Sequence, residues 1–133
     1  GHNVPHCTSD ELYKGIVAGN ATGVFNGKVY VKQDAQRTLA YQRNANILQG
    51  DDARVYSKPE LEIYADDVKC SHGCTIGRMD EQALFYLRSR GVSDAEARKL
   101  MAHAFVTGVV ERIANVEWRT YLTELMDAKL AAV

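Results

Sequence analysis

The sequence predicts a mainly β segment over residues 1–79 followed by a helical lobe of about three helices over residues 80–133. Two observations carry this. Eight of the ten glycines and both prolines fall in residues 1–79, where apolar residues come in short β-branched or aromatic runs separated by turn signals. From Asp80 onward the apolar positions recur instead at three- and four-residue intervals, the spacing of one helix face.

The glycines at 15, 19, 23 and 27 punctuate the first stretch every four residues, too closely for a stable helix interior. Val24-Phe25-Asn26-Gly27 reads as a turn before Lys28-Val29-Tyr30-Val31-Lys32, whose side chains alternate with period two. Further strands are expected at Thr38 to Tyr41, Asn46 to Leu48, Arg54 to Tyr56, Leu61 to Ala65 and Val68 to His72. In Leu61-Glu62-Ile63-Tyr64 the Leu and Ile point one way and the Glu and Tyr the other, the pattern of a half-buried strand. Many short strands with close turns fit a sandwich, a barrel or a solenoid, and no strict repeat chooses among them.

Asp80 is a good N-cap before Ala83, Leu84, Tyr86 and Leu87, and Gly91 supplies a stop. Ser93-Asp94-Ala95-Glu96 fits a capping box, in which the Ser hydroxyl and the Glu carboxylate each satisfy an otherwise unpaired backbone donor. The helix it opens carries Ala97, Leu100, Met101, Ala104, Phe105, Val109 and Ile113 as one broad stripe expected to be buried. Thr107 and Gly108 weaken that helix locally and point to a close helix crossing. Ala114-Asn115-Val116 reads as a break, after which Trp118, Tyr121, Leu122, Leu125, Met126 and Leu130 form another amphipathic stripe.

Hydrophobic residues make up 46% and charged residues 25% of the chain, which argues against intrinsic disorder. The formal net charge of -1 is evenly spread, with no basic patch for nucleic acid and no polybasic membrane surface. No apolar run approaches the roughly 18 residues of a membrane helix and no signal peptide is visible, so a cytoplasmic location is expected. Three cysteines do not make a disulfide framework; reduced core, metal-binding or redox roles fit better. The chain opens Gly1-His2-Asn3 without an initiator Met and reads as though it begins partway through something longer.

Cys70-Ser71-His72-Gly73-Cys74 is the strongest chemical constellation, because residues 70, 72 and 74 of an extended chain share a face. Thiolate and neutral imidazole are suitable ligands for zinc, ferrous iron or an iron–sulfur cluster. Alternate positions are nonetheless spread along a strand by about 3.3 Å per residue, so one ion can be grasped by all three only if Gly73 bends the chain. On spacing alone the plainer reading is favoured, with Cys70 in the core, His72 at the surface and Cys74 incidental. A standalone metal-binding module using Cys70, His72 and Cys74 is the alternative function. His2, His6 and Cys7 are weaker candidates, expected in a loop or incipient strand with a disordered terminus, because Pro5 argues against a helix. Asp51-Asp52 and Asp66-Asp67 are acidic turn residues that need no catalysis to explain them. No phosphate-cradling loop is present, so any ATP hydrolysis belongs to a partner. Arg88 and Arg90 complement the negative end of the first helix, and the stripe of Trp118, Tyr121, Leu125 and Met126 is either core or an exposed docking face.

The string Lys58-Pro59-Glu60-Leu61-Glu62-Ile63-Tyr64-Ala65-Asp66-Asp67-Val68-Lys69-Cys70-Ser71-His72-Gly73, followed by Leu84-Phe85-Tyr86-Leu87-Arg88-Ser89-Arg90-Gly91, closely resembles the C-terminal part of the SufB/SufD family. Glu11-Leu12-Tyr13-Lys14-Gly15 and Gly23-Val24-Phe25-Asn26-Gly27-Lys28 extend the likeness over nearly the whole chain. Gly73, where SufB-like chains tend to carry a glutamate, and the Arg88-Ser89-Arg90-Gly91 ending put it nearer the SufD-like side. The resemblance implies a right-handed parallel β-helix ending near residue 79, then a C-terminal helical region. It further implies a non-catalytic scaffold subunit of the cytoplasmic SufBCD iron–sulfur cluster assembly complex, paired with a SufB-like paralogue and docking the SufC-like ABC ATPase through the helices. The nascent iron–sulfur cluster would be shared with the paralogue and not retained by the isolated chain. By motif match His72 is the histidine implied in cluster assembly; Cys74 stands where a small alanine is expected. Arg88, Arg90, Trp118, Tyr121 and Leu125 are the expected partner-facing residues. An interrupted β-helix would also leave a cut end through which the chain self-associates.

Overall fold

Period-two alternation in the first 79 residues builds strands, and the switch of period at Asp80 builds helices. The structure, a computed structural model, describes residues 1–131. Among these the strands are β1 (Thr8–Ala18), β2 (Thr22–Val31), β3 (Leu39–Gln49), β4 (Arg54–Ile63) and β5 (Lys69–Arg78). The helices are α1 (Glu81–Ser89), α2 (Asp94–Val110) and α3 (Val116–Ala131). Successive strands alternate between two sheets, β1-β3-β5 in one and β2-β4 in the other. Every pairing is parallel, with Thr8 opposite Leu39, Leu39 opposite Lys69 and Thr22 opposite Arg54. Parallel pairing of alternate strands excludes the antiparallel sandwich and the up-and-down barrel.

The strands are longer than their sequence signals. Val24-Phe25-Asn26-Gly27 is no turn, because β2 runs through it with Gly23 to Gly27 in unbroken register with Val55 to Pro59. Thr38 to Tyr41 and Asn46 to Leu48 belong almost wholly to one strand, β3, and Arg54 to Tyr56 joins Leu61 to Ile63 across Pro59 in β4. Pro59 is tolerated because, among the described residues, β4 pairs along one edge only. The real turn glycines are Gly19 and Gly50, at φ +64° and +106°, where L side chains are strained.

Between the sheets, Val29, Val31, Ala35, Ala40 and Ala65 form an apolar cluster capped by Leu61, Val68 and Cys70. Beside it the interior carries a polar row. Gln42, Asn44 and Asn46 of β3 are all buried and share one face. Gln42 donates to Glu11 at 2.9 Å, Asn46 donates to Asn44 at 2.6 Å, and Ser57 of β4 donates to the same Asn44 oxygen at 2.8 Å. Two glycines make room for these amides: a Cβ on Gly27 would sit 2.4 Å from Gln42 Oε1, and one on Gly15 would sit 2.5 Å from Asn46 Oδ1. Gly27→Ala is therefore expected to lower stability by about 1–3 kcal/mol through overpacking, measured by urea unfolding. Gly73→Ala, whose Cβ meets nothing within 4 Å, is the control and should stay within about 0.5 kcal/mol.

The helices α1 and α2 pack on the outer face of the three-stranded sheet, and α3 packs against α2. Asp80 accepts from the backbone N–H groups of Gln82 and Ala83 to start α1, Gly91 ends it at φ +90°, and the Ser93/Glu96 capping box opens α2. Leu84, Met79, Ala97 and Ala102 bury against Ile16 of β1 and Ile47 of β3. Lys14 of β1 donates to the Phe105 carbonyl at 2.6 Å and lies over the Phe105 ring, and Arg112 and Arg43 both pair with Asp10. This corrects the reading of Gly108: what approaches there is the Lys14 ammonium, 3.1 Å from where a Cβ would stand, and not another helix. The broad stripe of α2 is also only partly buried, since Leu100 is 55% exposed while Ala97 and Ala102 are the buried positions. No helix among the described residues is long and apolar enough to cross a membrane.

Candidate functional site

Strand alternation in β5 sends Cys70, His72 and Cys74 to one side, in register with Ala40, Gln42 and Asn44 of β3. That is the interior side, on which all three β3 residues are buried. β5 is the outermost strand of its sheet, and among the described residues no later strand covers its interior side. Cys70 is consequently half-buried against the apolar cluster, whereas His72 and Cys74, on the same interior side, are left exposed. The same two-residue period that hides Gln42 and Asn44 one strand earlier thus displays His72 and Cys74 on the last.

The three donors do not converge. Gly73 pairs with Arg43 one for one, so the strand neither bulges nor bends there, and alternate side chains remain roughly 6.6 Å apart. Among the described residues no group of three or more His, Cys, Asp or Glu side chains could hold a metal ion. The standalone metal module needed that convergence and loses its geometric basis. What remains is His72 and Cys74 exposed along an outermost strand. Burial pushes the Cys70 thiol up, opposed only in part by the Ala40 backbone, in keeping with a packing residue. Cys74 Sγ lies 4.0 Å from Asn44 Oδ1, the oxygen already shared by Asn46 and Ser57.

That amide row behind β5 was not singled out from the sequence. In Tyr41-Gln42-Arg43-Asn44-Ala45-Asn46-Ile47 both faces carry polar residues, so alternation alone does not say which face is interior. The only pointer was the pair of nearby glycines at 15 and 27, whose purpose appears once the strands are stacked.

In the helical lobe Arg88 pairs with Asp94 at 3.0 Å, joining α1 to the start of α2. Arg98 first and Arg88 with it hold the Asp94 carboxyl below the usual carboxylate range. Arg90 lies over the Tyr86 ring, 5.1 Å from its centre. Trp118 and Tyr121 meet edge to face at 6.0 Å and, with Leu125, stay at least half exposed; no side chain of α3 is fully buried. The stripe of α3 therefore splits, Leu122, Met126 and Leu130 turning inward and Trp118, Tyr121 and Leu125 outward. Arg88, Trp118, Tyr121 and Leu125 lie in the helices and Arg90 just after α1.

The other sequence candidates have ordinary roles. His2 is ordered, not frayed: it forms a parallel bridge with Val31, and its ring reaches Ser9 Oγ at 2.9 Å. His6 occupies an exposed left-handed turn at φ 61°, and the Cys7 thiol lies 3.9 Å from the Pro5 carbonyl. Asp51 pairs with Arg78 and Asp67 with Arg37 at the surface.

Comparison with known proteins adds an independent finding. The family model described as SUF system FeS cluster assembly, SufBD core domain, matches residues 1–105. The chain is 46% identical over 114 residues to the iron-sulfur cluster assembly protein SufD of Escherichia coli, covering 86% of this chain and 27% of that protein. It is 48% identical over 111 residues to an iron-sulfur cluster assembly SufBD family protein of Synechocystis, covering 84% of this chain and 24% of that one. SufD of Bacillus subtilis is 29% identical over 119 residues, covering 90% of this chain and 27% of that protein. The chain spans about a quarter of the length of these curated relatives.

Proposed function

The chain belongs to the SufBD family of the SUF iron–sulfur cluster assembly system, and on that premise we propose that it is the C-terminal part of a SufD-like scaffold subunit. In this reading the two alternating parallel sheets are the end of a right-handed parallel β-helix, the hand that nearly all parallel crossovers adopt. Clusters assemble at the interface with a SufB-like paralogue, and the nascent cluster is the cargo.

The observation that carries the reading is the exposure of His72 on the interior side of an outermost strand. A buried ligand row would close a site within one chain; an open one calls for donors from a second chain. His72 offers an imidazole nitrogen to iron, Cys74 is a subsidiary donor one position along the row, and Cys70 packs. The free edge of β5 presents unpaired backbone groups that the paralogue can take up.

The helical lobe recruits the SufC-like ABC ATPase through Arg88 and Arg90 near the end of α1 and Trp118, Tyr121 and Leu125 on α3. Aromatic and arginine side chains in that exposure are typical anchors of protein interfaces. ATP hydrolysis belongs to the ATPase, and the subunit works in the cytoplasm as a scaffold, not as an enzyme by itself. Nucleotide-driven movement of the ATPase would shift the helical lobe relative to the cluster face.

The test uses the full-length subunit with Trp118, Tyr121 and Leu125 all changed to alanine. Its affinity for the ATPase should fall by at least about 2 kcal/mol, the loss associated with an interface anchor, while pairing with the paralogue is unchanged. ATPase binding at the original affinity would sink the docking assignment.

A further inference from the structure

We propose that Gln42 is a positioning residue for His72: its side-chain oxygen accepts one imidazole N–H, which fixes the ring's tautomer and leaves the other ring nitrogen bare for iron. This deepens the assignment of His72 to the cluster face and rests on it. Glu11, Gln42 and His72 occupy one column of the ladder, with Glu11 of β1 opposite Gln42 of β3 and Gln42 opposite His72 of β5. Side chains in such a column point the same way and follow one another at the strand spacing of about 4.8 Å.

The first half of the column sets the amide. Gln42 Nε2 donates to Glu11 Oε2 at 2.9 Å, and a carboxylate only accepts, so the amide nitrogen must face Glu11 and Oε1 must face elsewhere. That oxygen is the one buried side-chain nitrogen or oxygen among the described residues without a hydrogen-bond partner. An unmet buried acceptor is costly, and a native fold that keeps one calls for a reason. Gly27 makes the room for it, since a Cβ there would stand 2.4 Å away. The interior thus admits an oxygen that nothing inside the chain then binds.

The second half supplies the donor. His72 is the next side chain of the column, and being exposed it changes rotamer readily and can turn its ring to this oxygen. A neighbouring column shows that β5 side chains reach the β3 amides, because Cys74 Sγ lies 4.0 Å from Asn44 Oδ1. The Asn44 oxygen is already met by Asn46 and Ser57, at 2.6 and 2.8 Å; the Gln42 oxygen is not. A neutral imidazole has one N–H and one bare nitrogen. Committing the N–H to Gln42 orients the ring and makes the bare nitrogen a better ligand, the arrangement usual behind a metal-bound histidine. Glu11 acts at one remove, by holding the amide the right way round.

Nitrogen NMR of the full-length subunit with isotope-labelled histidine rings reads the tautomer without any cluster, the His72 signals being those absent from His72→Ala. At about pH 9, above the range in which imidazole titrates, they should be one protonated and one bare nitrogen, well separated. Gln42→Met keeps the size and removes the acceptor, so the two signals should move together as the tautomers exchange. Glu11→Leu, which lets the amide turn over, should do the same, and the conservative Glu11→Gln should restore the separation. In the complex with its partners, Gln42→Met should lower cluster yield about tenfold and add nothing to His72→Ala, because it acts only through that ring. A wild-type ring with averaged tautomers, as when water alone meets Gln42 Oε1, would overturn the proposal even if no variant folds. So would a Gln42→Met loss that persists in the His72→Ala background. Normal assembly by His72→Ala instead removes the cluster-face assignment, and the tautomer spectrum tells that failure from this one.

Discussion

His72→Ala, introduced into the full-length subunit and purified with its partners, should lower the yield of assembled cluster by at least about tenfold. That is the lower end of what loss of even an outer-shell partner costs at a metal site, and His72 is proposed to touch the iron. Stability should not move: the side chain is exposed on the outermost strand, and substitutions at such positions usually stay within about 0.5 kcal/mol. Cluster yield, followed by its visible absorption, and the urea midpoint therefore report on different things. His72→Cys should recover part of the yield because a thiolate also ligates iron, whereas Cys70→Ser should leave cluster yield largely intact because that thiol packs inward. Normal assembly by the alanine variant would remove His72 from the cluster face and leave only a structural role for β5.

Leu84→Ala should cost about 2–5 kcal/mol, the range for truncating a fully buried leucine. Leu84 is wholly buried where α1, α2 and the outer face of the three-stranded sheet meet, against Met79, Ala97, Ala102, Ile16 and Ile47. The cavity would lie in the seam between sheet and helices, so α1 and α2 should lose hydrogen-exchange protection before the interior of the β segment does. A domain has about 5–15 kcal/mol in all, so this change takes a large fraction of it. Phe85→Ala is the control, since Phe85 is 67% exposed and its loss should be near neutral. Equal effects at the two positions would mean that α1 is not seated as described.

Short-range chemistry was legible wherever the physics is short-range. The Asp80 cap, the Gly91 stop and the Ser93/Glu96 capping box were all visible, because each depends on groups within four residues of one another. Strand lengths were not. Asn26-Gly27 is a strong local turn signal, yet β2 runs through it because Gly27 is needed to admit the Gln42 amide from the next strand. The α2 stripe failed for a similar reason: a three- and four-residue period says that a helix has an apolar face, but not how much of that face a small neighbouring layer can cover.

The sequence by itself determined the change from strand to helix at Asp80, the common face of Cys70, His72 and Cys74, and the motif that ties the chain to its family. These rest on residue period and identity, which no neighbour can alter. Only the tertiary structure decided that β3's amides lie inside, that Gly73 leaves the donors in a row, and that Trp118, Tyr121 and Leu125 stand outside. Each of those depends on which strand or helix lies alongside, and on β5 having no strand beyond it among the described residues. Burial is a property of the neighbours, and so is the difference between a structural amide at Gln42 and an exposed imidazole one strand later at His72.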